Sequence, residues 1–367
     1  MILKFKPRNM WPAMALGLVS VPLALAAQTT APGAETDWRR ANEAVGQLKR
    51  GHADVLKWEQ VNVPPPALQG PVAASLKLLT IEDVTRQAWR NHLDLAQPLA
   101  RLGAPNVALI AEGRWTEVDQ GLRRKVDDMD EVLQVAAQAR KAWLQALAAR
   151  QALAQYQAML DAAEVASELG QRMVNVGNWS ALQQARVQGA HLSAQMNRTR
   201  AQYAATQAQT SLIKTLGLTG KVASVTLPEA LPELPLQLMP MDALQQKALA
   251  IRAQLPVAES LRSQAHSNMA LAAYQASHAL LKDSRDALKT QTFINAETVL
   301  HYNGMLSSVW DVLDASRNQS QAAIDAINAQ RDFWIAEADL QWVLQGGEPD
   351  SFVSLGGGAE AAAPAAH

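Results

Sequence analysis

The sequence of 367 residues contains no cysteine, which excludes disulfides, thiolate metal sites, cysteine nucleophiles and a lipid-bearing N-terminal cysteine. Aromatic residues make up only 5% of the chain, too few for a β-sandwich or a large mixed core. The formal net charge of −1 provides no basic surface for nucleic acid, so we expect no nucleic-acid partner. Hydrophobic residues still account for 49%, and alanine is the most frequent of them. Because alanine is the best helix former, we predict an all-α protein.

The N-terminal segment 1–27 has the pattern of a signal peptide. Basic residues precede an apolar run over residues 11–27, which ends in Ala24-Leu25-Ala26, a small-x-small cleavage pattern. A retained membrane anchor is the alternative, but the run is at the short limit for a spanning helix and two prolines interrupt it. We therefore predict export. No later segment approaches spanning length, so we expect no direct insertion of the mature chain into a membrane.

Two blocks of helical pattern dominate the rest of the chain. In the first, apolar residues such as Val132, Val135 and Ala139 step by three and four, which predicts a helix over 118–176 and a return helix over 181–216. The second block predicts helices over 257–302 and 309–344. The loops between them are too short for anything but antiparallel neighbours.

The spacing of the glycines supports an internal duplication. The interval between Gly177 and Gly217 nearly equals the interval between Gly304 and Gly346. We predict two long antiparallel helical hairpins whose small side chains favour coiled-coil seams and whose outer stripes could meet another copy. A self-contained four-helix bundle is the alternative.

The proline- and glycine-rich stretches divide the chain. The predicted parts are a signal peptide at 1–27, a flexible segment at 28–75, a first helical repeat at 76–218, a proline-rich linker at 219–241, a second helical repeat at 242–347 and a disordered tail at 348–367.

No pattern in the sequence indicates catalysis. The seven histidines are scattered without metal-ligand spacing, and nucleophile-elbow, phosphate-loop and zinc-hydrolase motifs are missing. We therefore predict no enzyme activity, no metal and no cofactor. The charged run at 123–131 is interpreted as a solvated helical face with local ion pairs.

Several segments resemble, in order, the repeats of the TolC family of outer-membrane efflux proteins. The first helical repeat carries VGNWSALQQARVQGAHLSAQ (176–195) and KTLGL (214–218), and the second carries HYNGMLSSVWDVLDASRNQ (301–319) and AQRDFWIAEADLQWVL (329–344). The opening helix LTIEDVTRQAWRNHLDL (79–95) and the passage LPEALPELP (227–235) with DALQQKALAIRAQLPVAES (242–260) are similar as well.

This resemblance implies a component of a tripartite export system. It would form a homotrimeric helical tunnel in the periplasm of a Gram-negative bacterium, docked on a periplasmic adaptor (membrane fusion) protein and an inner-membrane pump. The family also inserts two pairs of membrane-spanning strands, but no alternating segments of sufficient length occur at 101–118 or 256–304. We therefore expect the TolC-like helical body without the membrane β-barrel. Association with the outer membrane remains open.

The resemblance also points to candidate site residues. The turn tips, where the family docks its adaptor, correspond to Gly177, Asn178, Trp179, Asn303, Gly304 and Met305. Ordinary helix-turn chemistry is the alternative for these residues. Asp311 and Asp314 lie near the region where family members constrict the pore with acidic side chains, with capping of a helix as the alternative. A soluble periplasmic scaffold that has lost the channel function is the competing overall interpretation.

Overall fold

The computed structural model describes residues 75–222, 224–235 and 238–355. All of them belong to the second of two compact units, Pro71–His367. The other unit, Met1–Gly70, lies outside the described residues. So do the predicted signal peptide, the predicted flexible segment up to residue 74 and the predicted tail from residue 356 onward.

Helices account for 76% of the structure, which confirms the all-α prediction. The elements in chain order are β1 (Ser75–Lys77), α1 (Ile81–Arg90), α2 (Ala96–Ala111), α3 (Met129–Asn175), α4 (Ala181–Thr215), β2 (Ser224–Thr226), α5 (Met241–Arg252), α6 (Val257–Asn303) and α7 (Val309–Val343). Short 3-10 turns occur at Leu93–Leu95, Trp115–Glu117 and Gln120–Arg124. β1 and β2 form a parallel pair in which Leu76 is opposite Val225.

The two predicted hairpins are present, and their dimensions match. α3 and α6 each contain 47 residues, and α4 and α7 each contain 35. The offset in sequence from Met129 to Val257, where α3 and α6 start, equals the offset from Ala181 to Val309, where α4 and α7 start. An internal duplication explains this identity of length and spacing.

The four long helices are arranged in the order α4, α3, α7, α6. α3 packs against α4 and α7, and α7 packs against α6, whereas α4 and α6 share no extensive contact. The outer helices α4 and α6 therefore form the two edges of this row, and each has a face without a helical neighbour among the described residues.

The core lies at the end of the row away from the interhelical turns, which we call the base. From Met129 to Ala148 of α3, most side chains are buried among α1, α2 and the end of α4. From residue 149 to the end of α3, only Ala166 and Gly170 are buried. A second core forms where Phe333 of α7 packs with α5 and α6. The distal parts of both hairpins therefore extend beyond the cores as paired helices.

Buried ion pairs join the two halves within the base. Arg140 Nη2 of α3 lies 2.5 Å from Glu337 Oε2 of α7, and these side chains are 3% and 9% exposed. At the next position along α3, Lys141 Nζ lies 2.8 Å from Asp339 Oδ1. Desolvation raises the pKa of Asp339. Since breaking a buried pair leaves an uncompensated charge, these contacts fix α3 against α7.

The prediction that the first long helix starts at residue 118 is wrong. Asp128, immediately before α3, has a left-handed backbone with φ 61°. The segment before it is held by a bond to α7, since the Trp115 N–H donates to Gln341 Oε1 at 2.7 Å. This distant contact directs the chain away from a continuous helix.

The interpretation of the charged run as a solvated helical face with local ion pairs holds only in part, because most of its charged residues are exposed but residues 123–128 lie before α3. Arg123 Nη1 donates to the Gln345 carbonyl at 2.7 Å, and Arg101 pairs with Asp127 at 2.9 Å. Within the run, Arg123 Nη1 also lies 3.8 Å from Asp130 Oδ1 of α3. The run therefore connects the irregular segment before α3 to α3 itself and to other elements, and its pairs do not lie along one helix.

The prediction of a disordered tail from residue 348 fails for its first part. Phe352 packs against the second core and Val353 against the first. The Phe352 ring lies 6.2 Å from the imidazole of His266. These two apolar side chains follow the glycines that end α7, and their partial burial against the two cores holds this part of the segment in place.

Candidate docking site at the hairpin tips

The turn between α3 and α4 forms the first tip. Gly177 has φ 78°, and its N–H donates to the Val174 carbonyl at 2.9 Å. The Asn178 and Trp179 N–H groups both donate to the Met173 carbonyl, at 2.9 and 3.2 Å. Glycine adopts a left-handed backbone without steric cost, so this turn closes α3 in a compact C-terminal cap.

A capping box starts the return helix of the first hairpin. Ser180 Oγ accepts from the Gln183 N–H at 3.3 Å, while Gln183 Oε1 accepts from the Ser180 N–H at 2.8 Å. This reciprocal pair satisfies two backbone donors that the helix itself leaves free.

The second tip has the same plan with a different residue in the left-handed position. Gly304 has an ordinary φ of −82° and ends α6, whereas Met305 has φ 61°. Met305 is thus the counterpart of Gly177. The prediction from the sequence, which paired Gly177 with Gly304, is wrong by one position. The Ser308 N–H donates to the Asp311 carboxylate at 2.7 Å, so Ser308 and Asp311 repeat the capping box.

Two tryptophans join the tips to each other. The rings of Trp179 and Trp310 stack with centroids 5.1 Å apart and an interplanar angle of 21°. Gly170 of α3 allows this packing, because a Cβ there would lie 3.1 Å from Trp179 Cζ3 and 2.8 Å from Val187 Cγ2. Both tips therefore lie at the same end of the helical row.

Large apolar side chains remain exposed around the turns. Val176 is 68% exposed, Leu182 63%, Met305 94% and Leu306 80%. We call these four residues the tip surface. Exposed apolar side chains gathered at one end of a molecule are typical of a contact surface for another protein.

The two candidate constriction residues have local partners. Hydrogen bonds from Ser308 to the Asp311 carboxylate lower the pKa of Asp311, as expected for an acid that caps a helix. Asp314 pairs with Arg317 at 3.2 Å, and both side chains are about two-thirds exposed. Asp311 thus has the capping role that was the alternative, and a carboxylate ring stays a prediction.

The edge helices carry stripes of exposed residues at seven-residue intervals. On α4, the stripe contains Leu182, Gly189, Met196 and Tyr203, and Leu192 lies beside it. On α6, the exposed residues at this interval are Ala265, Ala272, Ala279, Asp286, Phe293 and Leu300. A seven-residue repeat is the pattern of helices that pack side by side in a coiled coil.

The described residues contain no group of three or more histidines or acids that could hold a metal ion. Within the same ranges, none of the helices combines the length and the hydropathy needed to cross a bilayer.

No protein-family model and no curated protein sequence matches this chain. Solved structures that match include the CmeC outer membrane channel of Campylobacter jejuni, at 10% identity and TM-score 0.49 over 74% of this chain and 84% of that one. The open state of the MtrE outer membrane channel of Neisseria gonorrhoeae matches at 15% identity and TM-score 0.47, over 66% and 72%. The outer membrane protein VceC of Vibrio cholerae matches at 12% identity and TM-score 0.48, over 66% and 76%.

The chain resembles TolC-family outer-membrane efflux channels.

Proposed function

We propose that this protein is a TolC-like component of an efflux system that forms or extends a helical conduit in the periplasm. The observation that carries the proposal is the open row of four long helices. Its two edges, α4 and α6, present unpartnered stripes, and its two tips lie at one end. Because the two edges differ, both can be covered by copies of the chain only if α4 of one copy packs against α6 of the next. Such head-to-tail contacts close into a ring when the rotation between copies allows it.

The edges are compatible in direction and height. α4 runs from the tip to the base and α6 from the base to the tip, so α4 of one copy and α6 of the next would be antiparallel neighbours. Leu192 lies eleven positions after the start of α4, and Phe293 lies ten positions before the end of α6. At about 1.5 Å per residue these two exposed side chains are at nearly the same distance from the tips. The family resemblance sets the proposed number of copies at three.

The tip surface is the proposed contact for a periplasmic adaptor protein, together with the other predicted docking residues: Gly177, Asn178, Trp179, Asn303 and Gly304. Exposed Met305 and Leu306 offer apolar side chains that a partner could bury. An inner-membrane pump completes the proposed assembly, and we place the exported protein in the periplasm of a Gram-negative bacterium.

Disulfide cross-linking tests the ring. The chain has no native cysteine, so Leu192→Cys with Phe293→Cys introduces the only thiols. Oxidation is expected to give covalent dimers and trimers on a denaturing gel. The matched control is Ala204→Cys with Leu280→Cys, which are exposed residues 23 positions after the start of α4 and 23 positions before the end of α6, on other faces of the two helices.

A chain that stays monomeric after oxidation, or that cross-links as efficiently through the control pair, would contradict the ring. That result would favour the alternative of a soluble periplasmic scaffold without a channel.

A further inference from the structure

A cavity of about 430 Å³ lies between the first hairpin and α7, on the base side of the Trp179–Trp310 stack. It is separate from the tip surface and from the two edge stripes. Ligand sites for small molecules in proteins commonly have volumes of about 300–1,000 Å³. The size of this cavity therefore suits a single small organic molecule.

Small side chains create the cavity. Three helices meet here, and five alanines line the space where they meet: Ala162, Ala163 and Ala166 of α3 with Ala190 and Ala194 of α4. Methyl groups are too short to fill the space between three helices, so an apolar floor remains accessible. The indole of Trp310 forms part of the wall, and it offers an aromatic ligand a ring to pack against.

The wall on the tip side is tightly packed. Val187, which lines the cavity, is only 2% exposed and lies in the space that a side chain at Gly170 would occupy. Trp310, another lining residue, is stacked on Trp179. A cavity with such a wall exists before any ligand arrives, which lowers the cost of binding.

The charged residues at the cavity have a net positive charge. Asp314 and Arg317 both line it and neutralise each other at 3.2 Å. Arg186 also lines it, and its guanidinium has no hydrogen bond or ion pair with any described residue. An unpaired guanidinium beside an apolar floor complements a sulfonate, carboxylate or phosphate attached to an apolar body.

We propose that this cavity binds a small amphipathic anion in which an aromatic ring system carries one acidic group. The ring lies against the alanine floor and Trp310, and the acidic group pairs with Arg186. Because residues from both halves of the chain line the cavity, the ligand stabilises the packing of the first hairpin on α7 by mass action. This inference does not depend on the proposed conduit.

Equilibrium dialysis of the purified chain with 2-naphthalenesulfonate tests the proposal, with 2-naphthylmethylammonium as the cationic probe of similar shape. We expect saturable binding of the anion at one site per chain and at least tenfold weaker binding of the cation. Ala163→Leu, which fills the cavity, is expected to weaken anion binding at least about tenfold. Ala158→Leu, at an exposed position of α3 that does not line the cavity, is the matched control and should leave anion binding unchanged.

Arg186 is tested separately from the floor. Arg186→Gln is expected to weaken binding of the anion about two- to fivefold and to leave binding of the cation unchanged or stronger. Arg172→Gln, an exposed cation on the same hairpin, should have no effect. The circular dichroism spectrum of each variant shows whether it has folded.

Three results would overturn the proposal: no saturable binding of the anion, equal affinity for the cation, or unchanged binding in Ala163→Leu. A loss of anion binding as the chain self-associates would overturn it as well, because a second copy would then be the occupant of the cavity.

Discussion

The two tips should respond in opposite ways to the loss of a glycine. Gly177 has φ 78° and open space around the position of a Cβ, so Gly177→Ala introduces backbone strain without a steric clash. A left-handed backbone costs a non-glycine residue about 1–2 kcal/mol. Gly304 has φ −82°, and a Cβ there would meet backbone oxygens at 3.5 and 3.6 Å, which is ordinary contact. Gly304→Ala is therefore expected to raise the free energy of unfolding by up to about 1 kcal/mol, because alanine restricts the conformations of the unfolded chain.

Met305→Gly completes the comparison. Met305 has φ 61° and is 94% exposed, so glycine removes about 1–2 kcal/mol of strain and loses almost no buried surface. The greater freedom of glycine in the unfolded chain offsets about 0.4–1 kcal/mol of this gain. The expected result is a small stabilisation or no change.

Urea denaturation followed by circular dichroism measures all three variants. We expect Gly177→Ala to be less stable than Gly304→Ala by about 1–2 kcal/mol, because the gain from the restricted unfolded chain is common to both substitutions and cancels in the difference. Equal stabilities for these two variants would refute the assignment of the left-handed positions to Gly177 and Met305. A marked destabilisation by Met305→Gly would refute it as well.

Three further predictions concern contacts between the halves and the acids at the base. In a denaturation assay, Arg140→Met should destabilise the protein by about 3–5 kcal/mol, because buried Glu337 loses its partner. Adding Glu337→Leu should recover most of that lost stability. A further loss of stability in the double variant would contradict this prediction. A double-mutant cycle with leucine at Trp179 and Trp310 should give a coupling energy of about 0.5–1.5 kcal/mol, and zero coupling would mean that the stack is not stabilising. Burial raises the pKa of the Asp332 carboxyl, so this carboxyl binds a proton more tightly in the folded state than in the unfolded state. The ionised carboxylate therefore lowers the stability of the fold. Asp332→Asn should therefore have a larger free energy of unfolding than the parent chain at pH 7. This difference in stability should shrink as the pH falls through the raised pKa and disappear below pH 3.8, the ordinary pKa of the carboxyl. A difference in stability that does not change with pH would contradict this prediction.

The hairpins could be predicted because their determinants are local. The alanine-rich periodic stretches, the glycines and asparagines of the turns and the serine caps all act within a few positions of one another. The observed bounds of α4, α6 and α7 differ from the predicted ones by at most one position at each end.

The start of α3 could not be predicted because distant residues determine it. Trp115 is held by Gln341, 226 positions away in sequence, and Arg123 by the carbonyl of Gln345, 222 positions away. The buried pair of Arg140 with an acid of α7 also depends on contact between the halves. Nothing in the periodicity of a single helix indicates which charged residue will meet an opposite charge on another.

The position of the second left-handed residue could have been found from the sequence. Aligning the two N-cap serines, Ser180 and Ser308, places Gly177 opposite Met305 rather than Gly304. The two glycines were a misleading pair, because Gly304 lies at the end of α6, where a left-handed backbone is not required. The capping box is therefore the more reliable marker of register between the repeats.

The tips of an exported helical conduit should dock on an adaptor protein, and photo-cross-linking in cells of the native host tests this central claim most directly. A photoreactive p-benzoylphenylalanine replaces Met305, which is 94% exposed at the tip, and a control variant carries it at Leu249, which is 49% exposed on α5. We predict an adduct from Met305, but not from Leu249, that mass spectrometry identifies as a periplasmic adaptor of the membrane fusion type. No adduct at Met305, the same adduct from both positions, or an adduct with further copies of this chain alone would contradict the claim.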